Sequence, residues 1–280
     1  MKRIARRLIL KFLPNQFESI QLIYQKIKFL NMVGRIKLRP EPLSPRLAIW
    51  PKRKIDNDTS QFGQSSLVHI LLEDLVGGIF VDIGSNDPQY NSNSYYLETE
   101  KKWTGYAFEP LDLYNERYAS SRQSTVLHNC AIGAEVEDKW LEVRHSEEGW
   151  EDQLSTVRDN DSSVSDSSVN SVKIKVLPLS SFGLPSRIDF LSIDVEGSEM
   201  KVLEGIDWAK FSAQIVCIEN CTVLRGDTNI REKLVEHGYV FFARISYIDD
   251  VFVSQELLSN IDKKLLTEKL KPFFSVYRVA

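Results

Sequence analysis

The 280-residue sequence is poor in the residues on which many active sites are built. It has three cysteines and four histidines. Cys130, Cys217 and Cys221 form no C-x-x-C pair, and no further ligands cluster near them, so neither a disulfide framework nor a thiolate zinc site is expected. Reduced thiols fit a cytoplasmic location. There is no G-x-S-x-G elbow and no Cys/His pair in a nucleophile context, which argues against covalent hydrolases. His69 and His128 fall in apolar segments and His237 near a helix end, leaving His145 as the one histidine to weigh as a general base. No apolar run approaches the ~20 residues of a membrane span. The full G-x-G-x-x-G of a dinucleotide loop is also missing, which disfavours a nicotinamide-dependent reductase.

What is present is divided by charge. Residues 1–54 hold fourteen Lys and Arg against two acids, a net +12, while the remainder carries 21 bases against 37 acids, a net −16. The basic part opens MKRIARRLILKFLP, in which Ile4, Leu8, Ile9 and Phe12 recur at helical spacing opposite Arg3, Arg6, Arg7 and Lys11. Such a stripe can lie on an anionic membrane surface, so residues 1–14 are a candidate for peripheral contact at the inner face of the membrane. An apolar stripe without interleaved aromatics or Gly/Ser argues against nucleic acid. Residues 36–60 carry four of the ten prolines and read as an irregular linker, which makes 1–60 an arm and 61–280 the body.

In the body, IFVDIG, TGYAFEP and TVLHNCAIG read as strands separated by helical stretches, the alternation of a parallel α/β sheet. KWLEVRH and VKIKVLPL read as two further strands around a Ser/Asp-rich segment, about 157–171, that can bury little and is expected to be a mobile loop. Alternation resumes with IDFLSIDVEG, AQIVCIEN and YVFFARI, and a helix over about 256–270 precedes a last strand.

Ligands of open α/β sheets sit beyond the carboxyl ends of the strands. VDIGSNDPQY places Asp82 and Gly84 there: glycine permits a tight turn, and the acid can bond within the loop or orient an ammonium group. Glu109 ends the next strand, where a carboxylate can chelate ribose hydroxyls. IDFLSIDVEGSE crowds Asp194, Glu196 and Glu199 at a strand end, and Glu219 ends the following strand. Three carboxylates can hold a cation, but the spacing matches no metal motif and no metal is expected.

These segments, with SNSYYLE, the pair Arg117/Arg122, NCAI and above all IDFLSIDVEGSEMKVLEGID, resemble the FkbM family of S-adenosylmethionine-dependent methyltransferases over roughly residues 77–245. The resemblance implies a class I, Rossmann-like, seven-stranded and mostly parallel sheet with helices on both faces and the last strand antiparallel. It implies S-adenosyl-L-methionine as cofactor, with its methionine part at Asp82, Gly84, Ser85 and Asn86, its ribose at Glu109, and its adenine beside Asn129, Cys130 and Ala131. It further implies O-methylation of a hydroxyl on a sugar, glycan or natural-product acceptor, with Asp194 or Glu196 as catalytic residues taking or orienting the proton. The sequence departs from the family at Pro88, where glycine is common. The missing N–H leaves open the alternative of a binding protein with impaired turnover.

Overall fold

The computed structural model describes residue 26 and residues 47–144, 156–158, 169–221 and 228–278. The basic stripe of residues 1–14, His145 and residues 159–168 lie outside the described residues.

In chain order the elements are β1 (Leu47–Pro51), α1 (Gln64–Leu71), β2 (Ile79–Ile83), α2 (Tyr95–Lys101), β3 (Thr104–Phe108), α3 (Asn115–Ser121), β4 (Thr125–His128), β5 (Ala131–Ile132), β6 (Glu137–Arg144), β7 (Thr156–Arg158) and β8 (Val169–Leu177). There follow β9 (Arg187–Ile193), α4 (Glu199–Glu204), β10 (Ser212–Glu219), α5 (Asn229–Glu236), β11 (Tyr239–Ile245), β12 (Asp249–Ser254), α6 (Gln255–Asn260), α7 (Lys263–Leu270) and β13 (Phe274–Arg278).

The main sheet has nine strands in the order β13-β1-β11-β12-β10-β9-β2-β3-β4. It is mixed: β12 is antiparallel to both β10 and β11, β13 is antiparallel to β1, and every other pairing is parallel. The expected seven strands are therefore two too few. The additional edge is built by β1, which the prolines had marked as linker, and by β13. Trp50, Ile49 and Ala48 are buried, and that apolar run pairs with β11 on one side and β13 on the other.

A second, four-stranded sheet has the order β5-β8-β6-β7. Both ends of the segment expected to be a mobile loop, Thr156–Arg158 and Val169–Ser171, belong to its strands. NCAI also splits, because β4 ends at His128 and Ala131 leaves to pair with Val176 in the second sheet. The single helix expected over 256–270 is two. Ile261 closes the first, and Asp262 caps the second by accepting hydrogen bonds from Lys264 N and Leu265 N at 2.8 and 3.0 Å.

The period of two along each strand divides the core between two faces. Phe80, Phe190, Ile215 and Val251 pack with Leu67, Leu97 and Leu266 of α1, α2 and α7. Val81, Leu191, Val216 and Phe252 pack on the other face with Val202 and Leu203 of α4 and Leu234 of α5. The same period places Asp82, Ser192, Asp194, Cys217 and Glu219 on one parity, and the acids among them reach the carboxyl end of the sheet together. Strand order reverses at β2, whose parallel partners are β3 on one side and β9 on the other. This is the switch point at which such sheets open a crevice.

Candidate active site

At the switch point the β2 and β9 loops are in direct backbone contact. Asp194 N donates to Ile83 O at 3.0 Å, and Gly84 has φ +76°. A Cβ on Gly84 would lie 1.8 Å from the Asp194 carbonyl oxygen. Both the positive φ and this approach require glycine.

The next residues tie β2 to β3. Gly84 N and Ser85 N donate to Phe108 O, and Asn86 N donates to Glu109 Oε2 at 3.0 Å. Glu109 Oε1 accepts from Leu111 N at 2.8 Å, and the residue is only 4% exposed. Glu109 thus stands at the expected strand end, but its carboxylate is enclosed and already joins two loops. Asp82 and Ser85 are buried beneath the same turn, while Gly84 and Asn86 reach its surface. Asn129 donates to the backbone oxygen of Glu109 at 3.2 Å and to Asn115 Oδ1 at 2.7 Å, next to buried Cys130 and half-buried Ala131.

Pro88 is accommodated by its neighbour. Asp87 Oδ1 accepts from Gln89 N at 2.9 Å and Tyr90 N at 2.8 Å, closing a turn in which proline occupies the first position. Proline suits that place, since its fixed φ is compatible with the turn. Arg117 pairs with Asp87, and Arg122 donates to the Pro88 oxygen at 2.9 Å.

On the other side of Gly84 the acids converge. Asp194, Glu196 and Glu219 bring carboxylate oxygens within 4.8 Å of one another, close enough to bind one cation together. Asp194 is open to the cleft and Glu219 half-buried. Enclosure by surrounding protein raises the Asp194 pKa well above its ordinary value, reinforced by Glu219, Asp249, Glu199 and Asp82. Desolvation, then Glu196 and Glu199, pushes Glu219 up to about 8. Burial likewise raises Glu199, which accepts from Gly197 N at 2.8 Å, and takes Asp249 to about 6. The Cys221 thiol donates to Glu219 Oε1 at 3.2 Å.

Beneath this cluster, Asp250 is fully buried between Arg231 and Arg244 at 2.7 and 2.6 Å, and Asn220 donates to it at 2.8 Å. Burial alone would raise Asp250, yet the two guanidinium groups hold it below its ordinary value. The network anchors the end of β10 immediately after Glu219, and nothing in the residue spacing announced it.

A family model, the methyltransferase FkbM domain, matches residues 82–241. The chain belongs to this family. The FkbM match begins at Asp82 and takes in the Gly84 turn, Glu109, the Asp194–Glu196 turn and Glu219. No curated protein matches the chain. A solved structure, precorrin-6y C5,15-methyltransferase from Geobacter metallireducens GS-15, is similar over 71% of this chain and 92% of that one, at 11% identity and a TM-score of 0.41. A likeness of that degree bears on neither site nor substrate. Among the described residues no helix is long and apolar enough to cross a membrane.

Proposed function

We propose that this FkbM-family chain is an S-adenosylmethionine-dependent O-methyltransferase acting on a hydroxyl of a sugar, glycan or natural product. The observation that carries the reading is the acid cluster Asp194–Glu196–Glu219 beside the Gly84 turn, in which Asp194 is raised well above its ordinary value and Glu219 to about 8. An acidic cleft suits a cationic donor, and Gly84 and Asn86 give it a backbone surface to lie on. S-adenosylmethionine supplies, when bound, a methyl group already activated by its sulfonium charge.

The work of the chain is then positioning and proton transfer. Asp82, Gly84, Ser85 and Asn86 would hold the methionine part, Glu109 the ribose, and Asn129 and Ala131 the adenine side. Because the Glu109 oxygens already accept from two backbone N–H groups, ribose binding uses their remaining lone pairs. Asp194 and Glu196 face the acceptor, orient its hydroxyl in line with the methyl group and take the proton it loses. The raised proton affinity of Asp194 makes it, once ionised, a stronger base than an ordinary carboxylate.

A glycan acceptor would fit a membrane-linked precursor if residues 1–14 rest on the anionic inner face, and deleting them should then lower binding to anionic liposomes. For the reaction itself, radiolabelled methyl transfer from S-adenosylmethionine is measured over a panel of free sugars and glycosides. Asp194→Asn and Glu196→Gln should keep donor binding and lose transfer. Loss of donor binding in both would move these acids out of the acceptor side.

A further inference from the structure

The donor loop is held from behind by one side chain to which residue spacing assigned no role. Arg122 follows α3 and is 3% exposed, buried against the rings of Phe80, Tyr95 and Tyr118. Its guanidinium pairs with Glu98 of α2, reaches the Pro88 oxygen at 2.9 Å, and donates to Ser94 Oγ at 3.0 Å and Thr125 Oγ1 at 3.1 Å. Ser94 in turn donates to Asp82 Oδ2 at 2.6 Å. One buried cation therefore touches both parts of the loop: the turn at Pro88 and, through a single hydroxyl, the carboxylate under Gly84.

We propose that Arg122 is a positioning residue for the methyl donor, acting through Ser94 on the Asp82 carboxylate and through the Pro88 oxygen on the turn that carries Asn86. This rests on the donor site assigned above. With a further bond to Ser92 Oγ at 3.4 Å, five bonds from a rigid fork fix direction as well as charge, which an ammonium group cannot do. A hydroxyl between cation and carboxylate passes its hydrogen to Asp82 and accepts from Arg122, so the two are linked without the cost of direct burial as a bare pair.

The groups around Asp82 oppose one another. Burial raises Asp82 above its ordinary value, and Ser94, Arg122 and Ser192 draw it back toward the charged form. Asp194, just after β9, repels it, while Tyr118 of α3 and Cys217 of β10 stay neutral because burial raises both. Arg122 is the one cation among these neighbours, and its charge is shared with Glu98. Removing the relay leaves burial less opposed and moves Asp82 further toward the protonated acid, which holds an ammonium group less well.

The test is titration of S-adenosylhomocysteine into wild type, Ser94→Ala, Arg122→Lys and Arg122→Met between pH 5 and 9. Ser94 makes no side-chain cap bond to its helix, so Ser94→Ala keeps the Arg122–Glu98 pair, and each variant's unfolding midpoint is measured alongside to separate lost binding from lost fold. It should bind about tenfold more weakly at pH 7, the value of one charge-assisted hydrogen bond. The acid side of its affinity profile should also move to higher pH, a change that a purely structural Arg122 does not produce. Arg122→Lys should fall between wild type and Arg122→Met. If Arg122→Met fails to fold, Ser94→Ala decides alone. Wild-type binding with a superimposable Ser94→Ala profile overturns the inference and spares the donor site; no binding by wild type overturns both.

Discussion

The Asp194 carbonyl oxygen occupies the space that a side chain on Gly84 would need, at 1.8 Å from the ideal Cβ position. The donor turn and the acidic turn are thus one backbone unit, locked at the switch point of the sheet. Gly84→Ala adds a positive-φ penalty to a backbone clash and should destabilise the fold by about 2–4 kcal/mol, measured by urea unfolding. Stability within about 0.5 kcal/mol of wild type would show that the two turns are not locked.

Glu219 makes the ligand-free protein pH-sensitive in a defined direction. Its pKa rises from an ordinary 4.5 to about 8 on folding. Between those values the folded state keeps a proton that the unfolded chain releases, so this contribution is full below the lower value and is lost as pH rises through the upper one. Urea midpoints should therefore fall from pH 5 to pH 8, and Glu219→Gln should flatten the fall. Asp194 responds in the same sense, so the slope shrinks rather than vanishes. A slope unchanged in Glu219→Gln contradicts the assignment.

Pro88 stands where the resemblance led glycine to be expected, and the turn around it shows no vacancy. With Asp87 closing the turn and Arg122 on the proline oxygen, Pro88→Gly should cost about 1 kcal/mol of stability by loosening the unfolded chain. Affinity for S-adenosylhomocysteine should stay within about threefold of wild type. A tenfold gain would mean that the missing N–H does belong to the donor site.

Asp250 neutralises two guanidinium groups that have no contact with water in the fold. Asp250→Asn leaves both partly uncompensated and should cost about 3–5 kcal/mol, read from the chemical unfolding midpoint. Because its folded pKa lies below the ordinary value, the stability it supplies is present at neutral pH and is lost only as acid protonates it. A variant that unfolds like wild type would remove the network from the account.

The strand ends were legible because alternation with helices and single acids at strand termini survive in any one sequence. Asp82, Glu109, Asp194 and Glu219 all emerged that way, and the sheet brings them to one edge. The enclosure of Glu109 was not legible, since it depends on amides of Asn86 and Leu111 that only folding brings to it. Arg122 was noted for spacing alone, because a buried arginine looks like a solvated one until its partners at 88, 94, 98 and 125 are in place. β1 was hidden by the prolines before LAIWP and at its end, although Pro51 can stand at a strand end without breaking a ladder. The last strand, β13, was legible as a strand, but its place at the sheet edge was not, because it pairs with β1.

The central claim is that the crevice between β2 and β9 binds the methyl donor. Calorimetric titration of the full chain with S-adenosylmethionine and with S-adenosylhomocysteine tests it most directly. The account predicts one site per chain for each ligand, retained in Asp194→Asn. No measurable binding of either at millimolar concentration would contradict it.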